Sequence, residues 1–546
     1  MKAIAYVSDE MYVALADVAA EFLSLETGGI TLLRSSPRGA FYADLGPGRY
    51  RVTLAKPGFG SKSVECELGG DPYQFRLLSD GLLGFMWPKW VRAGGRSEIR
   101  VHAVEQYQLT LWRYGYRKEY VKMIGWYDEH GPRASMQITP DGDYTQTGVQ
   151  WNKVGYGRPS ITQLVEGPER SGLYYLWART PSGKVFSFPW IVAPAKPKAK
   201  IAVLASSNTW NAYNNFGGRS NYINADRLPD TPVVNARQDL ERYQCPSAFG
   251  TWKPMDDEYM PLSFERPEPN NHIFDNTPWD ESKITDSVQG RVQCGQAPGE
   301  WRLLGWLESE GLDYDYYAEA QLHDGTLPLD TYKALILNIH PEYWTRQMYA
   351  RVKEWVFERG GRLMYLAGNG LNCEVVFNED GTMKCLSHLN SEYGELGGTD
   401  DKDPTIKYES RMHRTNESEA HLTGLVTTAA SLMTAAPYKT LEASHWAFSG
   451  TGLKNGDLFG ERTLHERVPG GASGHECDVI SPSSPKNLRL LAKGMNVTGG
   501  GGDVIVHEPG GGGAVFSVGS MTWVPALFVD EHISRITRNV LKRFLE

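Results

Sequence analysis

The densest concentration of chemistry-capable side chains lies in Lys333-Ala-Leu-Ile-Leu-Asn-Ile-His340-Pro341-Glu342-Tyr343-Trp344. An imidazole, a carboxylate and a phenol fall within four positions, with the Asn338 amide just ahead of them. Such groups can move protons or hold a cation. Leu335 to Ile339 is a short apolar run, right for a strand buried on both faces. Pro341 cannot continue a ladder, so the strand stops and the polar groups fall at its carboxyl end. A helix is expected from about Thr345 to Glu358, with Tyr349, Val352, Trp355 and Val356 at helical spacing. In open parallel sheets ligands bind in the crevice outside the strand carboxyl ends, which makes 340–343 a candidate active-site wall.

The elements around this stretch follow the same grammar. Ile201-Ala-Val-Leu-Ala is a buried strand, Trp301 to Glu310 a helix, Tyr314-Asp-Tyr-Tyr a strand, and Gly361-Arg-Leu-Met-Tyr-Leu-Ala a further strand ending in Gly368-Asn369-Gly370. Strands alternating with helices imply right-handed crossovers and a parallel, doubly wound sheet. Strands at Asp503–His507 and Gly513–Gly519 and a closing helix at Glu531–Leu545 complete the unit. The segment 206–300 is too long for an ordinary connection, and insertions of that size are usually functional. Parallel strands share a direction, so three junctions open on one edge: Asn208 to Tyr222, His340 to Tyr343, and Gly368 to Gly370. They bring a carboxylate, a histidine, an amide and several phenols, but no serine or cysteine posed as a nucleophile. A flavodoxin-like sheet also serves glutamine amidotransferases, whose nucleophile sits on a Gly-x-Cys-x-Gly elbow. The turn here reads Gly368-Asn-Gly-Leu-Asn-Cys373, without that elbow. Cysteine catalysis is therefore disfavoured against water activated by a metal. Oxygen donors, phenolates above all, suit a hard, high-charge ion such as ferric iron. With 28 tyrosines in the chain, however, most phenols are packing residues, and only geometry can select ligands.

Ahead of this unit the pattern is all-β. Residues 1–80 form a small module: Ala40 to Leu54 alternates around Gly46-Pro-Gly48, and Lys56-Pro-Gly-Phe-Gly supplies the next turn. Residues 81–195 read as a sandwich with strands at Ser97–Ala103, Tyr107–Tyr114, Gly172–Arg179 and Val185–Val192. Its aromatics at 112, 114, 174, 175 and 177 are read as packing residues. Ala193-Pro-Ala-Lys-Pro-Lys-Ala-Lys is a linker with nothing to bury. The expected architecture is thus multidomain: all-β, immunoglobulin-like or sandwich modules, then an α/β, glutamine-amidotransferase-like parallel-sheet domain over 196–546. A net charge of -9 gives no general attraction to nucleic acid or anionic membrane. No apolar run approaches the roughly 20 residues of a membrane span, and the first residues do not form a signal peptide. Six cysteines without a CxxC pair point to reduced thiols and a cytoplasmic setting.

Several blocks resemble the large subunit of N,N-dimethylformamidase: Trp210-Asn-Ala-Tyr-Asn-Asn-Phe-Gly-Gly-Arg-Ser-Asn-Tyr222, Leu262-Ser-Phe-Glu-Arg-Pro267, His340-Pro-Glu-Tyr-Trp344 and Gly368-Asn-Gly370. His445-Trp-Ala-Phe-Ser-Gly-Thr-Gly-Leu453 and Gly512-Gly-Ala-Val-Phe-Ser-Val-Gly-Ser520 belong with them. The resemblance covers roughly 200–546. It implies hydrolysis of a small N-alkylated amide at a mononuclear iron held by two tyrosinates and one glutamate. Carried to this sequence, the glutamate is Glu342, one tyrosine is Tyr222, and the second is Tyr259 in preference to Tyr213. His340 and Asn369 then line the substrate pocket, and Glu476 in Gly474-His-Glu-Cys-Asp resembles the general base, although His475 and Cys477 depart from the pattern. The resemblance further implies a small partner subunit and an oligomer. A different class of function, a non-catalytic carbohydrate- or ligand-binding protein with the α/β part as scaffold, is the alternative; metal content separates the two.

Overall fold

The computed structural model describes residues 2–127, 141–151, 163–225, 227–234, 259–274, 291, 295–386, 407–497 and 499–546. Its largest element is a nine-stranded sheet. Five strands run parallel, in the order Tyr314–Ala318, Ile201–Ala205, Ala334–Ile339, Arg362–Ala367, Gly513–Ser517. The strands Asp503–Gly510, Arg489–Gly494, Tyr438–Thr440 and Leu458–Phe459 continue the sheet antiparallel. The parallel sheet expected from the sequence is thus found over five strands, and the other four correct it to a mixed sheet. Only Gly511 and Gly512 separate the Asp503 and Gly513 strands, and so short a connection can join only antiparallel neighbours.

Each central strand feeds two cores, because successive side chains leave opposite faces. Ile201, Val203 and Ala205, with Ile336 and Met364, pack with the helices Ala297–Ser309 and Glu531–Leu545. Ala202, Leu204, Leu335, Leu337, Leu363 and Tyr365 pack instead with the helix Arg346–Arg359. Burial on both faces is why these strands are continuous apolar runs rather than alternating ones. The Arg346–Arg359 helix starts where its sequence says it should. Thr345 caps it by accepting the Met348 N–H, and Gly360, at φ 76°, ends it.

The chain from Ile201–Ala205 crosses first to Tyr314–Ala318 on one side, then back to Ala334–Ile339 on the other. That reversal makes a crevice at the carboxyl ends of the strands starting at 201 and 334. Among the described residues no helix is long and apolar enough to cross a membrane.

Before this sheet lie the β elements. A five-stranded sheet, Lys118–Tyr127, Tyr107–Tyr114, Gly172–Arg179, Val185–Ala193 and Trp90–Arg92, shares one core with Leu82–Trp87 and Arg96–Ala103. Tyr174, Leu176 and Ala178 face that core, whereas Leu173, Tyr175 and Trp177 belong to the core that also takes in Trp301 and Leu304 of the helix Ala297–Ser309. Nearer the amino terminus, Ala40–Tyr42 and Gly48–Ala55 do not form a hairpin across Gly46-Pro-Gly48. The first pairs with Ala3–Ser8, the second with Ala19–Ser24 and Lys62–Leu68. The lysine-rich linker is tied down: the N–H groups of Lys198 and Ala199 both donate to Asp315 Oδ2.

Candidate active site

Three strand ends supply the wall of the crevice. After Ile201–Ala205 a short helix, Ser207–Ala212, places Tyr213 at its carboxyl end, and the chain returns to bring Tyr222 alongside. The two rings stack, centroids 4.3 Å apart and 24° from parallel. Tyr222 donates to the Tyr213 oxygen at 2.8 Å. Each hydroxyl also lies 2.9 Å from Glu342 Oε2, and Tyr222 reaches Oε1 at 3.2 Å. The Tyr343 hydroxyl adds a bond of 3.2 Å to the Tyr222 oxygen.

Glu342 is held from behind by its own backbone. Its N–H donates to Thr209 Oγ1 at 3.0 Å, its carbonyl accepts from Cys373 N, and Pro341 accepts from Leu371 N. Tyr343–Trp344 then pairs in parallel with Cys373–Glu374. A carboxylate favoured only by the start of the next helix would look different, since that helix is capped by Thr345 and Glu342 faces the phenols.

His340 joins this set to a second carboxylate. Its Nε2 lies 2.9 Å from the Tyr213 oxygen, 3.2 Å from Glu342 Oε2 and 3.6 Å from Glu476 Oε2. Its Nδ1 faces the Gly368 carbonyl at 3.0 Å, which fixes the ring. Asn369 Nδ2 donates to Glu476 Oε2 at 2.9 Å. The Glu342 side chain is 1% exposed and that of Glu476 19%, so of the two acids only Glu476 meets solvent. On the far side of Glu342, Cys373 Sγ is 3.8 Å and Arg411 Nη1 3.7 Å from Oε1.

The backbone is strained where these groups emerge. Ile339 (φ 53°), Asn369 (φ 49°), Leu371 (φ 57°) and His475 (φ 65°) are four of the eight described non-glycine residues with positive φ. A β-branched residue in that region is rare, and such strain costs on the order of 1–3 kcal/mol per residue. Three of them carry or adjoin a site side chain, and Leu371 donates its N–H to the Pro341 carbonyl next to Glu342.

Charge follows from the geometry. Burial pushes the Tyr213 and Tyr222 hydroxyls well above the usual phenol range, and the Glu342 charge raises them further. They are neutral phenols unless a cation joins them. Burial also opposes ionisation of Glu342, but the hydrogen bond and charge of His340, with Arg411 and Tyr213, hold it below the usual carboxylate range. For His340 burial is outweighed by the charge of Glu476 and by Glu342, which push it up to about 9. Burial raises Glu476; the His340 charge opposes this and the Glu342 charge adds to it. Burial likewise raises the Cys373 thiol well above its ordinary value, the opposite of what a nucleophilic thiolate needs.

Of the residues singled out from sequence, Tyr222, Tyr213, Glu342, His340, Asn369 and Glu476 form one connected network. Tyr259 lies in the same buried cluster, with Tyr343, Cys373 and Cys385, and its phenol senses the charges of Arg411 and Glu342. Arg219 is structural: Asp143 pairs with it at 2.8 Å, and the Met260 and Pro261 carbonyls accept from it. Sequence reasoning missed Arg411, Tyr365 and Asp478. Asp478 alone carried a usable signal, standing two residues from Glu476 where a strand returns to the same side. Much of the insertion 206–300 (235–258 and 275–290), with Cys245 and Cys294, lies outside the described residues. Among the described residues no group of three or more His, Cys, Asp or Glu side chains is disposed to hold a metal; the convergent donors here are phenolic.

A helix-covered sheet that gathers phenols, two carboxylates and an imidazole outside its parallel strand ends defines a protein with a buried, oxygen-rich centre. The family model for the carboxyl-terminal part of N,N-dimethylformamidase beta subunit-like proteins matches residues 113–535, and the chain belongs to that family. It is similar to the N,N-dimethylformamidase beta subunit of Paracoccus aminophilus, 26% identical over 416 residues, which is 66% of this chain and 50% of that one. It is also similar to the N,N-dimethylformamidase beta subunit of an Alcaligenes species, 26% identical over 310 residues, 47% of this chain and 38% of the relative. The matches thus span half or less of these relatives' length.

Proposed function

We propose that this chain is the catalytic part of a metal-dependent amidohydrolase that cleaves a small N-substituted amide, such as an N-alkylformamide, to carboxylate and amine. One observation carries the reading: two phenol hydroxyls converge on the Glu342 carboxylate, with a second carboxylate, Glu476, one imidazole away. Tyr213, Tyr222 and Glu342 bring three oxygen-bearing side chains within 2.8 to 3.2 Å of one another. The donor set therefore fits a hard ion, with mononuclear ferric iron favoured by phenolate ligation. Tyr222 and Glu342 would hold it together with a further phenol, Tyr213 by its hydrogen bonds or Tyr259 by family resemblance. When bound, such an ion supplies Lewis acidity to an amide carbonyl and to water.

The chain's own residues supply the rest. Glu476, the acid open to solvent, takes a proton from the attacking water and returns it to the departing nitrogen, which is a poor leaving group until protonated. Asn369 fixes that carboxylate. His340, between Glu342 and Glu476, offsets the repulsion of two acids in one site. The same proposal reads 196–546 as a glutamine-amidotransferase-like α/β domain with the insertion 206–300, preceded by β units at 1–80 and 81–195. Five parallel strands with helices on both faces support it. Because the similar proteins are named as beta subunits, it also includes a partner subunit in an oligomer.

Metal analysis and visible absorption of protein produced with iron test the reading. One iron per chain with a phenolate-to-ferric charge-transfer band is expected, and Glu342→Ala should lose both. Glu476→Gln should keep the iron while turnover falls by about 10²–10⁴-fold. Iron-free, colourless wild-type protein without amidase activity would sink the proposal.

A further inference from the structure

Behind Asn369 two buried side chains, Tyr365 and Asp478, form a closed bracket. Asp478 Oδ1 accepts the Asn369 N–H at 2.8 Å, and its Oδ2 accepts the Tyr365 hydroxyl at 2.6 Å. The Tyr365 oxygen in turn accepts the Gly370 N–H, also at 2.6 Å. Tyr365 stands on the central strand Arg362–Ala367, and Asp478 on Cys477–Val479, which pairs with Val426–Thr428 outside the sheet. The turn between them has little freedom. A Cβ on Gly368 would lie 2.2 Å from the Glu476 carbonyl oxygen, and one on Gly370 2.5 Å from the Tyr365 hydroxyl. Pressed into this space, Asn369 takes φ 49° and Leu371 φ 57°. The result is a fixed Asn369 side chain: Nδ2 on Glu476 at 2.9 Å, and a buried Oδ1 with no partner among the described residues.

We propose that Tyr365 and Asp478 are positioning residues that hold the Asn369–Gly370 backbone and, through the Asn369 amide, aim the Glu476 carboxylate; the assignment rests on the amidohydrolase reading of the site. The chain of causes is short. Two main-chain N–H groups of a strained turn are satisfied by one carboxylate and one phenol. Without them those donors would be buried unpaired, and the turn would relax away from its positive φ. Relaxation of even about 1 Å at a catalytic carboxylate can cost on the order of 100-fold in rate. The bracket also explains why an aspartate is tolerated here although burial, the largest influence, pushes it up to about 7 against the bonds from Tyr365 and Asn369. The other titratable groups near it are Glu476, His340 and Glu419.

The test uses Tyr365→Phe and Asp478→Asn in the full-length, metal-loaded protein, with two readouts. In amide hydrogen exchange by mass spectrometry, a peptide spanning 368–371 should exchange at least about tenfold faster in both variants, while the 531–545 helix keeps wild-type protection. Unchanged protection of that peptide overturns the bracket, whatever reaction the protein performs. In amide hydrolysis, kcat should fall at least about tenfold with KM within about twofold, and neither substitution should cost more when combined with Asn369→Ala. Losses that add to that of Asn369→Ala, or unchanged kcat despite faster exchange, overturn the positioning role. A wild-type protein that cleaves no amide removes the amidohydrolase reading, and the positioning role with it, while the exchange arm still decides whether the bracket holds the turn.

Discussion

Donors and positive charges around Glu342 hold its carboxyl below the usual carboxylate range despite burial. Tyr213, Tyr222 and His340 meet Oε2, while Tyr222, Cys373 and Arg411 flank Oε1. Hydrogen bonds to a charged acceptor are worth about 1.5–3 kcal/mol each, so Tyr213→Phe should lower unfolding free energy by that amount in urea titrations. The same variant decides the second phenol. If Tyr213 is the partner of Tyr222, Tyr213→Phe loses the visible band and Tyr259→Phe keeps it; the reverse assigns Tyr259. His340, Glu342 and Asn369 were legible because each stands where an apolar run breaks at a proline or a glycine pair, which marks a strand end. Arg411 was not legible, since it adjoins Glu342 only through contacts between segments nearly 70 positions apart. Tyr365 was hidden differently. It sits inside an apolar strand, where a tyrosine looks like core, and only the turn above it gives its hydroxyl a task.

At the scale of elements, the helices that carry no site residue set its height and angle. The Arg346–Arg359 helix is pinned at its start by the Thr345 side chain, which accepts from Met348 N and meets His323 Nδ1 at 2.8 Å. Thr345→Ala should destabilise the protein by about 0.5–2 kcal/mol, measured as a shift in denaturant midpoint at unchanged slope. The Ala297–Ser309 helix buries Glu300 beneath the first strand end, where it accepts from Ser206 N, Trp210 Nε1 and the Tyr316 hydroxyl. Burial outweighs these bonds and pushes Glu300 up to about 8 from an ordinary 4.5. Its folded form therefore binds a proton that the unfolded chain has released, so the linkage lowers stability as pH rises from about 4.5 to about 8, and no further above that. Glu300→Gln mimics the protonated state. Its stability relative to wild type should be near zero at pH 5 and rise by a few kcal/mol at pH 9, in the order of magnitude that linkage allows. A difference independent of pH would mean that Glu300 is ionised throughout. The parallel half of the sheet was legible in the alternation of apolar runs and helical patterns. The antiparallel half was not read from those runs, because direction lies in the connections: the glycine turn at 511–512 dictates antiparallel neighbours, while Tyr438–Thr440 and Leu458–Phe459 are too short to stand out.

Across the whole molecule the β units are parts of the site's foundation. The five-stranded sheet meets the Ala297–Ser309 helix through Tyr114, edge-on to Trp301 at 4.4 Å and backed by Tyr175 and Trp177. Trp301 Nε1 donates to the Gly115 carbonyl at 2.6 Å, and Arg113 pairs with Glu308. The amino-terminal residues reach the loop between Tyr213 and Tyr222. Gly217 N donates to the Glu10 carbonyl at 2.9 Å, and a Cβ on Gly218 would come within 2.4 Å of Tyr12 Cβ. Gly217 and Gly218 hold φ 94° and 86°, which a side chain resists, so the loop's shape depends on what it leans against. Two truncations separate these supports. A fragment from 196 onward exposes the Trp301 face and should aggregate or bind a hydrophobic dye, because that face has lost its cover. A fragment from 81 onward keeps the cover and should retain wild-type exchange protection in the 531–545 helix. Its 213–222 segment should lose protection by at least about tenfold, and with it the fixed approach of Tyr222 to Glu342. Gly218→Ala in the full chain should reproduce that local loss, since the added methyl can be accommodated only by moving the loop or Tyr12. Equal protection of 213–222 in the fragment from 81 and in the full chain would show that the phenols are held from the sheet alone.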